Sequence, residues 1–152
     1  MHYWLLKTEP STFSIQDLRR KGREPWDGVR NYQARNTLKN EMSVGDLALF
    51  YHSNAEPSGV VGICKIASEA LPDPKAFDPK SNYFDAKSDP SNPRWWLREV
   101  EFVEEFPRAI SLAELRTHEE LADMQVLKKG QRLSVLPVSA AEFKTILKLI
   151  KK

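Results

Sequence analysis

Tyr3 to Glu9, an apolar run of Tyr-Trp-Leu-Leu followed by polar residues, reads as a first strand. Ser14-Ile-Gln-Asp17 then sets a hydroxyl three residues ahead of a carboxylate, the arrangement that satisfies free backbone amides at a helix start, and Gly22 ends that helix. Residues 31 to 40 have helical composition with Asn31 as the cap, and Gly45-Asp46 turns the chain into a strand over Leu47 to His52. That strand is apolar on both faces, which predicts a central position. Gly59 to Ile66 is a β-branched run predicted to form a hairpin with it. Its two glycines stand where another backbone approaches or a barrel strand bends.

Residues 70 to 93 hold five prolines and many aspartates, so the expectation is a long ordered loop serving as a lid or pocket wall. Tyr83, Phe84, Trp95 and Trp96 supply its aromatic mass. A long strand is predicted over Trp95 to Glu104, a short helix from Ser111-Leu-Ala-Glu114, and a last strand over Arg132 to Pro137. Ser139 opens a final helix in which Phe143, Ile146, Leu147 and Ile150 recur at helical spacing, while Lys148, Lys151 and Lys152 complement its carboxyl end. This order predicts an α+β fold: a small, strongly curved β-sheet or barrel with flanking helices. At 152 residues the expectation is a single domain, 1–152.

Composition narrows the function classes. With 41% hydrophobic and 29% charged residues the chain reads as a soluble globule, and no apolar run approaches the ~20 residues of a membrane span. The amino terminus lacks the pattern of a secretion signal, and the one cysteine, Cys64, has no partner for an internal disulfide. Both point to an intracellular, cytoplasmic setting, nucleoid-associated in a bacterium or nuclear in a eukaryote. The net charge is only +2, so affinity for nucleic acid must come from local clusters of cations. Arg19, Arg20, Lys21, Arg23, Arg30, Arg35 and Lys39 form one, and they bracket Trp26.

Catalytic constellations are weak. The three histidines, His2, His52 and His118, lie far apart without zinc-ligand spacing, and no cofactor is expected. Cys64 sits in an apolar strand and reads as a core residue rather than a partner for His52. Lys7 and Glu9 share a strand face and read as an ion pair sooner than as base and electrophile. Asp27 and Asp46 adjoin glycines and read as turn caps.

Binding chemistry is richer. Trp26, in an expected loop, offers an indole for stacking on a base, and Asn31 offers a paired donor and acceptor for a base edge. Arg30 and Arg35 are candidates for phosphates, and Tyr51, His52 and Ser53 for the mouth of the sheet.

Taken together, Trp4-Leu-Leu-Lys-Thr-Glu-Pro10, Trp26-Asp-Gly-Val-Arg-Asn-Tyr-Gln-Ala-Arg-Asn36, Met42 through Ser53, Asp78-Pro with Tyr83-Phe-Asp-Ala-Lys-Ser88, and Gly130 through Val138 resemble the EVE domain family over nearly the whole chain. The resemblance implies a PUA-like fold, similar in architecture to YTH readers of methylated adenine and to ASCH domains. It implies a non-enzymatic pocket for a modified nucleobase in nucleic acid, with modified cytosine in DNA first and modified RNA second. Carried onto this sequence, it places Lys7, Thr8, Glu9, Trp26, Asp27, Arg30 and Asn31 at the pocket, Tyr51, His52 and Ser53 on a facing wall, and Tyr83, ahead of Trp95, as the second aromatic. An enzyme acting on nucleotides or RNA through Lys7, Glu9 or His52, and a sensor of a free metabolite, stand as the alternatives.

Overall fold

The side-chain alternation of the first strand divides the molecule into two layers around one sheet. A computed structural model describes residues 1–151; Lys152, expected beyond the last helix, lies outside the described residues. In β1 (Tyr3–Thr8), Trp4 and Leu6 enter one buried cluster and Leu5 the other. Then come α1 (Ile15–Lys21), β2 (Arg23–Trp26), α2 (Tyr32–Asn36), β3 (Leu47–His52), β4 (Gly59–Ile66), the two-residue β5 (Leu71–Pro72), β6 (Trp96–Ser111), α3 (Leu112–Arg116), β7 (Val135–Val138) and α4 (Ala140–Ile150). Strand order is β2-β6-β4-β3-β1-β7, with β5 paired to β6, and β2 and β7 remain the outer strands, so the sheet is not closed. Among the described residues only the β1–β3 pair is parallel; α1, β2 and α2 make the crossover between its strands.

The α1 and α2 residues Ile15, Leu18 and Ala34 pack on the Trp4 side, and Phe143, Ile146 and Leu149 of α4 on the Leu5 side. Of the three expected serine capping signals, Ser14 with Asp17 at α1 and Ser139 with Glu142 at α4 form complete boxes, whereas at α3 Ser111 accepts from the Glu114 N–H but the Glu114 carboxylate is taken by Arg108. Gly22 ends α1 with a left-handed φ of 81°. β3 and β4 pair as the expected hairpin, and a Cβ at Gly59 or Gly62 would strike the backbone carbonyl of Ile110 or Glu104 on β6. Register shifts beside these glycines let the sheet bend.

Five elements differ from the sequence expectation. Arg23 to Trp26 is a strand, not a loop: its partner is residues 98–101 of β6, and as an outer strand it tolerates Pro25. β1 stops at Thr8 because the Glu9 carbonyl turns to accept from Thr12 and Phe13. The helix expected over 31 to 40 breaks into α2 and a π turn, Thr37–Glu41. There the Met42 N–H donates to the Thr37 carbonyl, five residues back, which leaves the Leu38 carbonyl to the buried Arg98 guanidinium at 2.6 Å. Finally, β6 runs on to Ser111, and β7 begins only at Val135.

The proline-rich segment is ordered by its aspartates. Asp73, Asp78, Asp85 and Asp89 each accept from the backbone N–H two residues on, at 2.9–3.0 Å, a chain of local turns.

Candidate functional site

The edge strand β2 delivers Trp26 to the rim of the sheet, where pairing ends and the chain turns through Gly28 at φ 78°. A cleft of about 460 Å³ opens there, between the end of β1, the end of β2 and the proline-rich loop. That is within the ~300–1,000 Å³ typical of small-ligand pockets. The indole is 8% exposed, held edge-on by Phe13 at 6.3 Å and Phe50 at 5.6 Å, so it forms a fixed wall rather than a free platform.

A second aromatic in the cleft lining comes from the loop. Tyr83, 41% exposed, lays its ring so close to Gly28 that an added Cβ would sit 2.8 Å from its Cζ. Its backbone carbonyl accepts two hydrogen bonds from Arg30, at 2.9 and 3.2 Å. Arg30 also donates to the fully buried Asp73 at 3.0 Å, and Asp73 accepts from the Gly28 N–H at 2.8 Å and the Lys75 N–H at 2.9 Å. One carboxylate thus ties the turn after β2, the arginine and the loop into a single frame. Trp95 lies outside the cleft, stacked on Tyr32 at 4.9 Å with its Nε1–H donating to Asp85.

Of the residues expected at the site, Lys7, Thr8, Trp26, Asp27, Arg30, Asn31 and Tyr83 line this cleft together. Two of them offer less than expected. Asn31 caps α2, its Oδ1 accepting from the Ala34 N–H at 3.1 Å, so its side-chain NH2 is what remains to offer a ligand. The donors of Arg30 are taken by Tyr83, Val29 and Asp73, which makes it a loop clamp rather than a phosphate site. Asp27 forms an ion pair with Lys75 at 3.1 Å.

Five expected residues are not brought to this cleft. Arg35 donates to the Arg94 carbonyl at 2.7 Å and covers the Tyr32 ring. Glu9 accepts from Asn54 at 2.6 Å, and the expected pairing of its carboxylate with Lys7 is replaced by that contact. Tyr51 and Ser53 open onto a different cleft on the other side of β3. His52, 8% exposed, accepts the Ile15 N–H on Nε2 at 3.1 Å and so completes the start of α1. Burial holds its pKa below the ordinary histidine value, against the opposing charge of Glu105, so the imidazole is kept neutral as an acceptor.

Sequence reasoning missed Phe13, Glu24, Lys75 and Ser134, which also line the cleft. An apolar residue directly before the Ser14 cap was a legible signal for Phe13. Lys75 and Ser134 arrive by long-range folding and left none. The Cys64 thiol is fully buried and pushed up to about 12, consistent with the core role read from its strand. Among the described residues no group of histidine, cysteine and carboxylate side chains is placed to hold a metal, and no helix is long and apolar enough to cross a membrane.

Comparison with known proteins places this geometry in context. The EVE domain model matches residues 2–149. Human thymocyte nuclear protein 1 is 40% identical over 169 residues, covering 99% of this chain and 74% of that protein. A crystal structure of a Pseudomonas syringae protein superposes with a TM-score of 0.92 at 46% identity, covering 97% of this chain and 99% of the other. The crystal structure of human THYN1 in complex with 5-methylcytosine-containing DNA superposes with a TM-score of 0.92 at 39% identity, covering 100% of this chain and 99% of that one.

Proposed function

The chain belongs to the EVE domain family, and we propose that it acts as a non-enzymatic reader of modified cytosine in DNA, as a single domain spanning 1–152. The observation that carries this reading is a cleft lined by both Trp26 and Tyr83, in a chain that superposes over its full length on a protein crystallised with 5-methylcytosine DNA. The cleft takes a planar heterocycle displaced from its stack, at an unstacking cost of a few kcal/mol. Aromatic contact returns about 1–3 kcal/mol per base. Polar groups at the rim suit a cytosine edge: the Asp27 carboxylate, beside Lys75, can accept from the exocyclic amine, and the Asn31 side-chain NH2 can donate to the ring nitrogen or carbonyl. None of this needs a cofactor or a bond-breaking step.

The test compares duplexes that differ by one 5-methyl group on one cytosine. Because Trp26 is a core residue, its alanine variant would confound binding with stability, so the informative substitutions are Tyr83→Ala and Trp26→Phe. Tyr83→Ala should lower affinity for the methylated duplex ~5- to 150-fold, the equivalent of one lost stacking contact, with folding retained. Equal affinity of the parent protein for methylated and plain duplexes defeats the reading. A changed base detected by mass spectrometry after incubation would replace it with the enzyme alternative, and tighter binding to the matching RNA would move the substrate class.

A further inference from the structure

The cleft that this reading leaves unused lies on the Tyr51 side of the sheet, with a volume of about 520 Å³, formed by the end of β3, the start of α3 and the segment before β7. Four cations line it: Lys7, Arg116, Lys128 and Lys129. No lining residue is acidic; the carboxylate of Glu9 stands at the rim, held by the lining residue Asn54. Among the described residues none of the four cations forms an ion pair, whereas Arg19, Arg23 and Arg108 elsewhere each stand against a glutamate. Uncompensated cations crowded into a concavity focus a positive potential that a nearly neutral chain lacks overall.

The floor of the cleft is partly shielded from water. The Lys7 ammonium lies 5.9 Å from the centroid of the buried Tyr51 ring, and burial pushes the lysine pKa down. Burial pushes the Tyr51 phenol up, and the charge of Arg116, which lines the same cleft, opposes that shift. A partly desolvated cation without a partner gains more from an incoming anion than an exposed one does. Continuity with the base cleft comes through β1. Lys7 lines both clefts, and the parallel strands β1 and β3 end side by side, the Ser53 N–H donating to the Thr8 carbonyl at 2.9 Å.

We propose that this second cleft holds the sugar-phosphate backbone of the strand whose base enters the Trp26–Tyr83 cleft, with Arg116, Lys128 and Lys129 on the phosphates and Lys7 at the junction. The identity of the strand rests on the base-reading proposal; the anion site rests on the charge and shape of the cleft. It supplies the phosphate role that the sequence had pointed to Arg30 and Arg35 for, whose guanidinium groups are engaged by the carbonyls of Tyr83 and Arg94.

The experiment measures the affinity of methylated and plain duplexes for a Lys128→Ala/Lys129→Ala variant between about 50 and 200 mM salt, where the logarithmic slope changes by ~0.9 for each phosphate neutralised. Both side chains are exposed, so the fold should persist, as a melting curve would verify. The variant should lose about 1 to 2 units of salt slope, weaken both duplexes by the same factor, keep the methyl preference, and bind free 5-methyl-2′-deoxycytidine as the parent does. Lys144→Ala/Lys148→Ala, which removes the same charge from exposed positions of α4 outside both clefts, should leave the slope in place. An unchanged slope in the first variant, or an equal loss in the second, overturns the inference. Loss of slope in a protein without methyl preference would sink the base-reading proposal while this cleft stands. Methyl preference with an unaltered slope would do the reverse, and a parent that binds neither duplex ends both.

Discussion

Replacing Asp73 by alanine removes a single carboxylate and should loosen the whole frame around the candidate site. Asp73 is fully buried and accepts from the Gly28 N–H, the Lys75 N–H and the Arg30 guanidinium at 2.8–3.0 Å. A hydrogen bond to a charged group contributes about 1.5–3 kcal/mol, and removing one partner of a buried pair costs about 3–5 kcal/mol because the other is left uncompensated. The side chain of Arg30 is 21% exposed, so water recovers part of that loss and the lower end applies, about 3 kcal/mol. For a domain of this size 1 kcal/mol corresponds to ~2–4 °C in Tm, which predicts a fall of about 6–12 °C. Urea denaturation should give the same loss at unchanged m, and hydrogen exchange should show faster opening of the loop around Tyr83. Asp27→Asn, which breaks a more exposed pair with Lys75, should cost under about 1 kcal/mol. If Asp73→Ala costs no more than Asp27→Asn, the carboxylate does not hold the frame, and the account of the loop fails with it.

Two further outcomes are expected. His52 is held neutral with a pKa below that of the unfolded chain, so protons bind preferentially to the unfolded state; stability should decline as pH falls from about 6.5 toward the lowered native value. His52→Gln, whose amide oxygen can still accept from Ile15, should flatten that part of the urea-midpoint profile, and an unchanged slope would remove His52 as its cause. Gly28→Ala should cost about 1–2 kcal/mol for its left-handed φ, the half-exposed Tyr83 ring swinging aside to make room. Base-selective binding should fall far more than stability does, and a variant that retains full methyl preference contradicts the placement of Tyr83.

Local chemistry was legible in the sequence and long-range partnership was not. The capping boxes at Ser14 and Ser139, the Gly22 terminus and the β3–β4 hairpin follow from residues within a few positions of one another. β2 was missed because its reason for existing is β6, far along the chain, and Pro25 reads as a strand breaker until its edge position is known. The wall expected from Tyr51, His52 and Ser53 fails for a geometric reason: consecutive strand residues point to opposite faces, so three in a row cannot line one surface. Arg30 and Arg35 were legible as charges, but the carbonyls of Tyr83 and Arg94 that absorb them are set by the fold alone.

The chain of aspartate turns in the proline-rich loop has a kinetic and thermodynamic consequence. Freezing a residue's backbone costs about 1–2 kcal/mol, so a loop that organised only on contact would cancel a stacking gain of about 1–3 kcal/mol after a residue or two. Here Asp78, Asp85 and Asp89 shape the segment without any guest, and Asp73 anchors it to the body. A visiting base therefore meets a finished surface. Encounter should proceed without a slow rearrangement, and discrimination between one base and another should appear in how long each stays.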